Sequence, residues 1–168
     1  MKSFRKVSPL DNFDVYRPSA KAMRRAADWE SQVEADLTPR QKTLSWICRL
    51  VAAAIMIETL FFKFTGAPES IYIFSKMGLE SWWRYGQGIW ELLASILLLT
   101  PRFGWAGAML TLGAIGAAII SHLTVLGIAV QGDHGLLFAM ALVTFSCGFI
   151  VMYLHRHEIP GYAPMTPY

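Results

Sequence analysis

The chain predicts an all-α integral membrane protein, an antiparallel four-helix bundle with an N-terminal amphipathic helix. Three observations carry that expectation. Of the 168 residues, 54% are hydrophobic and the mean hydropathy is +0.38, above the roughly 45–50% apolar content of soluble domains. Ten of the fifteen Lys and Arg lie at or before Arg49. Beyond that point the chain alternates long apolar stretches with short turns marked by Gly, Pro or charge. Three parts follow: a cytoplasmic arm over 1–43, a membrane domain over 44–158 and a tail over 159–168.

The arm begins irregularly, since residues 1–18 are polar, hold two prolines and show no period. From 19 to 37 apolar residues recur at Met23, Ala26, Ala27, Val33 and Leu37, with Lys21, Arg24 and Arg25 available to anionic headgroups. That spacing gives an amphipathic helix, lying on the membrane surface or packed on a partner. The first 43 residues lack the apolar core of a cleavable signal peptide.

Thr38-Pro39-Arg40-Gln41 is a helix start. Thr38 caps, Pro39 suits the first helical position and Gln41 completes a capping box. The first span follows over 44–64, with Arg49 near its entry, placed to snorkel to headgroups. Pro68 and Gly78 bracket a piece too short to cross a bilayer. The second span covers 82–100. Ser81 is placed to cap it, and Trp82, Trp83 and Tyr85 suit an interfacial belt. Pro101 ends it, and Arg102-Phe103-Gly104 makes a tight turn.

The third span, 105–130, repeats small residues at Gly113, Ala117 and Ser121 and again at Ala114, Ala118 and His122. That spacing lets helix backbones approach on two sides. A polar turn, Gln131 to Gly135, precedes the fourth span at 136–154. His155-Arg156-His157-Glu158 closes the domain. Basic residues concentrate on the side of the N-terminal arm, Arg102 and Arg156, so the positive-inside rule puts both termini in the cytoplasm.

The basic residues flank apolar spans, so lipid rather than nucleic acid explains them. Cys48 and Cys147 stand apart with no CxxC, which suggests packing residues and no metal site. No phosphate loop, HExxH or GxSxG occurs. The HxH at 155–157 suits headgroup contact better than metal.

Ionisable residues inside spans are costly and face other helices or a wet cavity. At about 1.5 Å per residue, Glu58 lies roughly 18 Å and Glu91 roughly 16 Å from the cytoplasmic interface, with Lys63 and His122 roughly 25 Å up. If the first three helices are neighbours, Glu58, Lys63, Glu91 and His122 form one buried polar cluster, with Glu91 facing Glu58. Asp133 and His134 lie above it on the outer side. Such a cluster suits proton uptake, hydrogen bonding to a quinone carbonyl, or a purely structural ion-pair network.

Phe61-Phe62-Lys63-Phe64, Gly88-Ile89-Trp90-Glu91-Leu92 and Pro101-Arg102-Phe103-Gly104-Trp105 resemble the DoxX family of small four-helix membrane proteins, over about 44–158. The chain departs from the family pattern in lacking a glycine shortly before Lys63 and in carrying its long N-terminal arm. The resemblance implies an inner-membrane protein. Some members are subunits of quinone-linked redox complexes, and Lys63 and Glu91 carry over by position.

The leading expectation is therefore an accessory or anchoring subunit of a quinone-linked redox system, not catalytic alone, with redox or other membrane proteins as partners and oligomerisation open. Quinone is the one cofactor it brings. A small proton-coupled transporter and an assembly factor acting through the arm are the alternatives. Four spans without a repeat or broken helix count against the transporter.

Overall fold

The computed structural model describes residues 19–21, 23–24, 37–79 and 81–159. The chain divides into two compact units, at Asp36 and Leu37. In the first, residues 20, 21, 23 and 24 are helical. The remainder of the amphipathic helix expected there lies outside the described residues, as do the Ser81 side chain and the tail from 160.

The second unit is all-helical among its described residues. Helix α1 (Pro39–Thr65) starts at the capping box: Gln41 N–H donates to Thr38 Oγ1 at 3.4 Å and Thr38 N–H to Gln41 Oε1 at 2.8 Å. The box and Pro39 fix the helix start ahead of the apolar run. Gly66 ends α1 at φ 70, a left-handed cap that glycine adopts without steric cost. Helix α2 (Pro68–Lys76) is the short bracketed piece, with Gly78 at φ 70 beyond it. Helix α3 (Ser81–Leu99) stops before Pro101, which opens a 3₁₀ turn over Pro101–Phe103.

Helix α4 (Gly104–Ser121) runs into a π turn, His122–Leu126. The third span was expected to reach 130, but the helix ends four residues earlier. Gly127 turns out at φ 86, its N–H donating to His122 O at 2.9 Å while His122 Nδ1 donates to Gly127 O at 2.8 Å. Helix α5 (Leu136–Leu154) follows, then a 3₁₀ turn at Arg156–Glu158.

The long helices pack in a cycle: α1 on α3, α3 on α4, α4 on α5 and α5 on α1. Contacts set their directions. The start of α1 meets the end of α5 through Ser45 and His155, whereas its end meets the start of α3 through Lys63 and Arg84. Adjacent helices therefore run antiparallel. The core between them holds Met56, Leu98, Val151 and small residues such as Ala52, Ala94 and Ala108. A Cβ on Gly107 would lie 2.2 Å from Leu98 N, so α3 and α4 touch backbone to backbone there.

The two small-residue stripes on α4 part company. Ala114 and His122 are buried, whereas Gly113 and Ala117 are exposed and Gly113 has open space at its Cβ position. The core takes up one side of the helix and leaves the other outward.

Three helical stretches are long and apolar enough to cross a membrane: Pro39–Thr65, Pro101–Leu126 and Leu136–Leu154. Helix α3 is not among them, since Arg84, Gln87 and Glu91 lower its hydropathy. Those side chains are turned inward or half-buried, and the exposed face carries Ile89, Trp90, Leu93 and Ile96.

Candidate functional site

Glu91 is 3% exposed, on the face of α3 that packs against α1. Lys63 Nζ meets its Oε2 at 2.5 Å, which forms an interhelical ion pair. Thr59 lies one turn below Lys63, its Oγ1 accepting from Lys63 Nζ at 3.1 Å and standing 3.0 Å from Glu91 Oε2. Gln87, one turn before Glu91, donates from Nε2 to Oε1 at 3.3 Å. Arg84 is buried above this group and donates from Nη1 to Lys63 O. A cation there complements the carbonyl end of α1. Its guanidinium also lies 4.5 Å from the Tyr85 ring centroid.

The pair is not fully enclosed. The Lys63 side chain keeps 15% exposure, against 4% for Glu91. Phe64 and Tyr85, both exposed, stack at 6.1 Å, and Phe64 lies over Gly88, where a Cβ would come within 3.1 Å of the ring. Glycine at 88 thus lets an aromatic ring rest on the α3 backbone. Lys63 has three N–H bonds and spends two, on Thr59 and Glu91.

The sequence expectation of a four-residue cluster needs correction. Lys63 and Glu91 come together; Glu58 and His122 do not join them. Glu58 is exposed and makes no hydrogen bond or ion pair among the described residues. Depth along the helix was matched, but direction around it was not. Five residues at 3.6 per turn put Glu58 about 140° from Lys63, so a helix that aims Lys63 at α3 turns Glu58 away. Thr59, four residues from Lys63, falls about 40° away and takes the inward place.

His122 is buried, but at the loop end of α4, bonded to Gly127 O with its ring centroid 5.5 Å from that of Phe138. Asp133 caps α5, accepting from Val130 N at 2.7 Å, Gly135 N at 2.9 Å and Leu137 N at 3.0 Å. Burial pushes its carboxyl up, but these backbone donors and the nearby His122 outweigh that and hold it below the ordinary aspartate value. His134 is exposed at φ 53. Asp133 and His134 therefore lie in the turn that leads into α5.

The DoxX-like family matches residues 47–151. The chain belongs to the DoxX-like family. Membership and the three long apolar helices make it a multi-span membrane protein. No curated protein and no solved structure matches the chain.

For this DoxX-like chain the sequence reading missed Thr59, Gln87 and Arg84. Thr59 and Gln87 carry a legible signal, since each stands one turn from an ionisable residue on the same helix face. It also missed a second polar cluster at the opposite end of α1. Arg49, expected to reach headgroups, is instead 2% exposed and donates from Nη2 to His155 Nε2 at 3.0 Å. Arginine has no acceptor, so Nε2 carries no proton. Ser45 Oγ then donates to that nitrogen at 2.8 Å, and His155 Nδ1 donates to Glu158 Oε1. His155, expected at headgroups, is buried in the same cluster. A Cβ at Gly104 would lie 2.1 Å from Arg49 Nη2, so the guanidinium fills the space that glycine leaves. Cys48 is buried, Cys147 is half-buried, and both are free. Among the described residues no group of three or more His, Cys, Asp and Glu is placed to hold a metal.

Proposed function

We propose that this DoxX-like protein is a four-span accessory subunit of a quinone-linked redox system, in which the Lys63–Glu91 pair holds a quinone head group. The observation that carries the reading is the residual exposure of Lys63 in that pair. Its ammonium has an uncommitted N–H and a carboxylate partner, and the next residue on α1, Phe64, stacks on Tyr85 at the surface. A quinone carbonyl is an acceptor on a flat apolar ring and matches both features. Lys63 donates to the carbonyl, Phe64 and Tyr85 flank the ring, and Glu91 holds the ammonium in place beside the oxygen. Electrons come from a partner.

The inward placement of the α3 charges supports its role as the fourth span. Arg84 caps α1 and Glu91 pairs with Lys63, so the face left to lipid is apolar. The distribution of Lys and Arg supports both termini in the cytoplasm of an inner membrane.

Equilibrium binding of a short-tailed ubiquinone analogue to the purified protein tests the site, followed by quenching of its tryptophan fluorescence. Loss of a hydrogen bond from a charged donor costs about 1.5–3 kcal/mol, so Lys63→Met weakens binding by roughly tenfold or more. Arg102→Gln, at the other end of α3, leaves it unchanged. Equal binding by wild type and Lys63→Met would remove the proposal.

A further inference from the structure

Four polar side chains meet where the start of α1 reaches the end of α5, and the proposed quinone contact uses none of them. Ser45 and Arg49 lie one turn apart on α1 and are both 2% exposed, and His155, just past α5, is 8% exposed. Both α1 groups converge on one nitrogen, His155 Nε2, at 2.8 Å from Ser45 Oγ and 3.0 Å from Arg49 Nη2. The other ring nitrogen bonds to Glu158 in the following 3₁₀ turn. The guanidinium also lies over Gly104, so α1, α4 and the end of α5 all meet it. Of the other ionisable groups at this end, Arg40, Lys42, Arg102 and His157 are exposed and Arg156 is half-buried. Cys48, next to Arg49 in the chain, is buried in the core.

This arrangement suits one protonation state of the ring. Arginine keeps its charge and has only donors, so the Nε2 that faces it carries a lone pair. A proton added there makes the ring a cation and aims a donor at a donor. Two of the three partners adapt: Ser45 turns its hydroxyl and accepts, and the Glu158 carboxylate faces a positive ring. Arg49 has no such option. It loses its acceptor and meets a like charge, and its Nε already has no hydrogen-bond partner among the described residues. A buried cation left in that state is strongly destabilising. Trp46, exposed and with its ring centroid 5.3 Å from the guanidinium, marks the way out.

We infer that Arg49 and His155 form a proton-operated latch: neutral His155 holds the guanidinium between α1, α4 and the end of α5, and protonated His155 expels it and opens the seam beside Cys48. Histidine is the side chain that ordinarily changes charge between about pH 5 and 8. The latch thus answers to pH at the end of the bundle that holds the start of α1. The Lys63–Glu91 pair, at the other end of α1, takes no part in it.

Accessibility of the Cys48 thiol tests the latch, in the full chain carrying Cys147→Ala and reconstituted in liposomes. The probe is dipyridyl disulfide, which reacts with thiols in acid, and each rate is divided by that of the denatured chain at the same pH. From about pH 8 to about pH 5 that ratio rises roughly tenfold or more. Adding Arg49→Met, which leaves no cation to expel, keeps it flat at the low starting value. Adding His155→Gln, whose amide takes up no proton, does the same. A second measurement needs no variant: nitrogen-15 spectra of the histidine-labelled wild type show the His155 ring protonated on Nδ1 and bare on Nε2 at about pH 8. The inference is overturned by a ratio that stays flat without the added changes, or by a ring protonated on Nε2 at that pH. A rise that persists in either variant, as general acid unfolding gives, overturns it too. Quinone binding at Lys63 enters none of these outcomes.

Discussion

Thr59 has one hydroxyl proton and two acceptors in reach, Met56 O at 2.8 Å and Glu91 Oε2 at 3.0 Å. It donates to one at a time while accepting from Lys63, so it ties the ion pair to the α1 backbone. The pair itself dominates the energetics here. Removing one partner of a buried pair costs about 3–5 kcal/mol in soluble proteins, because the other charge is stranded, whereas replacing both by apolar groups is often neutral. Lys63→Met and Glu91→Leu singly therefore lower stability in a detergent denaturation series, and the double variant recovers most of the loss. A double variant as unstable as the sum of the two would contradict the pairing. At the turn before α5 the sign of the pH effect follows from Asp133, whose folded carboxyl titrates below the ordinary value near 3.9. Its contribution is complete above that value and fades as pH falls through the lower, folded one. Melting temperature of the wild type drops on acidification below about pH 4, and Asp133→Ala removes that part of the drop.

Helices and their ends were largely legible in the chain, and helix faces were not. Thr38 with Gln41, Pro68, Gly78, Pro101 and Gly135 act through local backbone chemistry, so their effect is readable without knowing the neighbours. The π turn after Ser121 was missed because it depends on the His122 ring reaching Gly127 O across the end of the helix. The buried state of Arg49 was missed for a related reason: it needs Gly104 from another helix to vacate the space, and only packing reveals that. Depth came from the 1.5 Å rise, which requires no partner; it set Glu91 level with Glu58 and Lys63 higher, whereas direction around the helix, which depth does not fix, brings Lys63 to Glu91 and turns Glu58 away. Gly107 gives a test at this scale. Its α-carbon touches the α3 backbone, so Gly107→Ala forces a methyl against Leu98 N and must separate α3 from α4. Overpacking costs typically about 1–3 kcal/mol, and backbone contacts yield least. Gly113→Ala, with open space at the same helix's outer face, costs little by the same thermal-melt measurement.

At the scale of the molecule the question is how many times the chain crosses the membrane. Three helical stretches qualify by length and hydropathy, and α3 does not. Its shortfall comes from residues that the interior accounts for: Arg84 bonds to Lys63 O, Glu91 to Lys63 Nζ and Gln87 to Glu91. Hydropathy averages a whole helix, but the bilayer meets only the outward side, where Ile89, Leu93 and Ile96 stand. Helix α3 also packs against both α1 and α4 within the antiparallel cycle. Four crossings place the 65–80 connection and the Gln131 turn on one side and Arg102 on the other. Three crossings, with α3 not spanning, place Arg102 beside the 65–80 connection and move the Gln131 turn across. Single cysteines at exposed Ser75, Arg102 and Gln131, in a thiol-free background, separate the two. With a membrane-impermeant maleimide added from outside intact cells, Ser75→Cys and Gln131→Cys label and Arg102→Cys labels only after permeabilisation. Labelling of Arg102→Cys together with Ser75→Cys would reduce the protein to three spans and leave the Lys63–Glu91 pair at a surface.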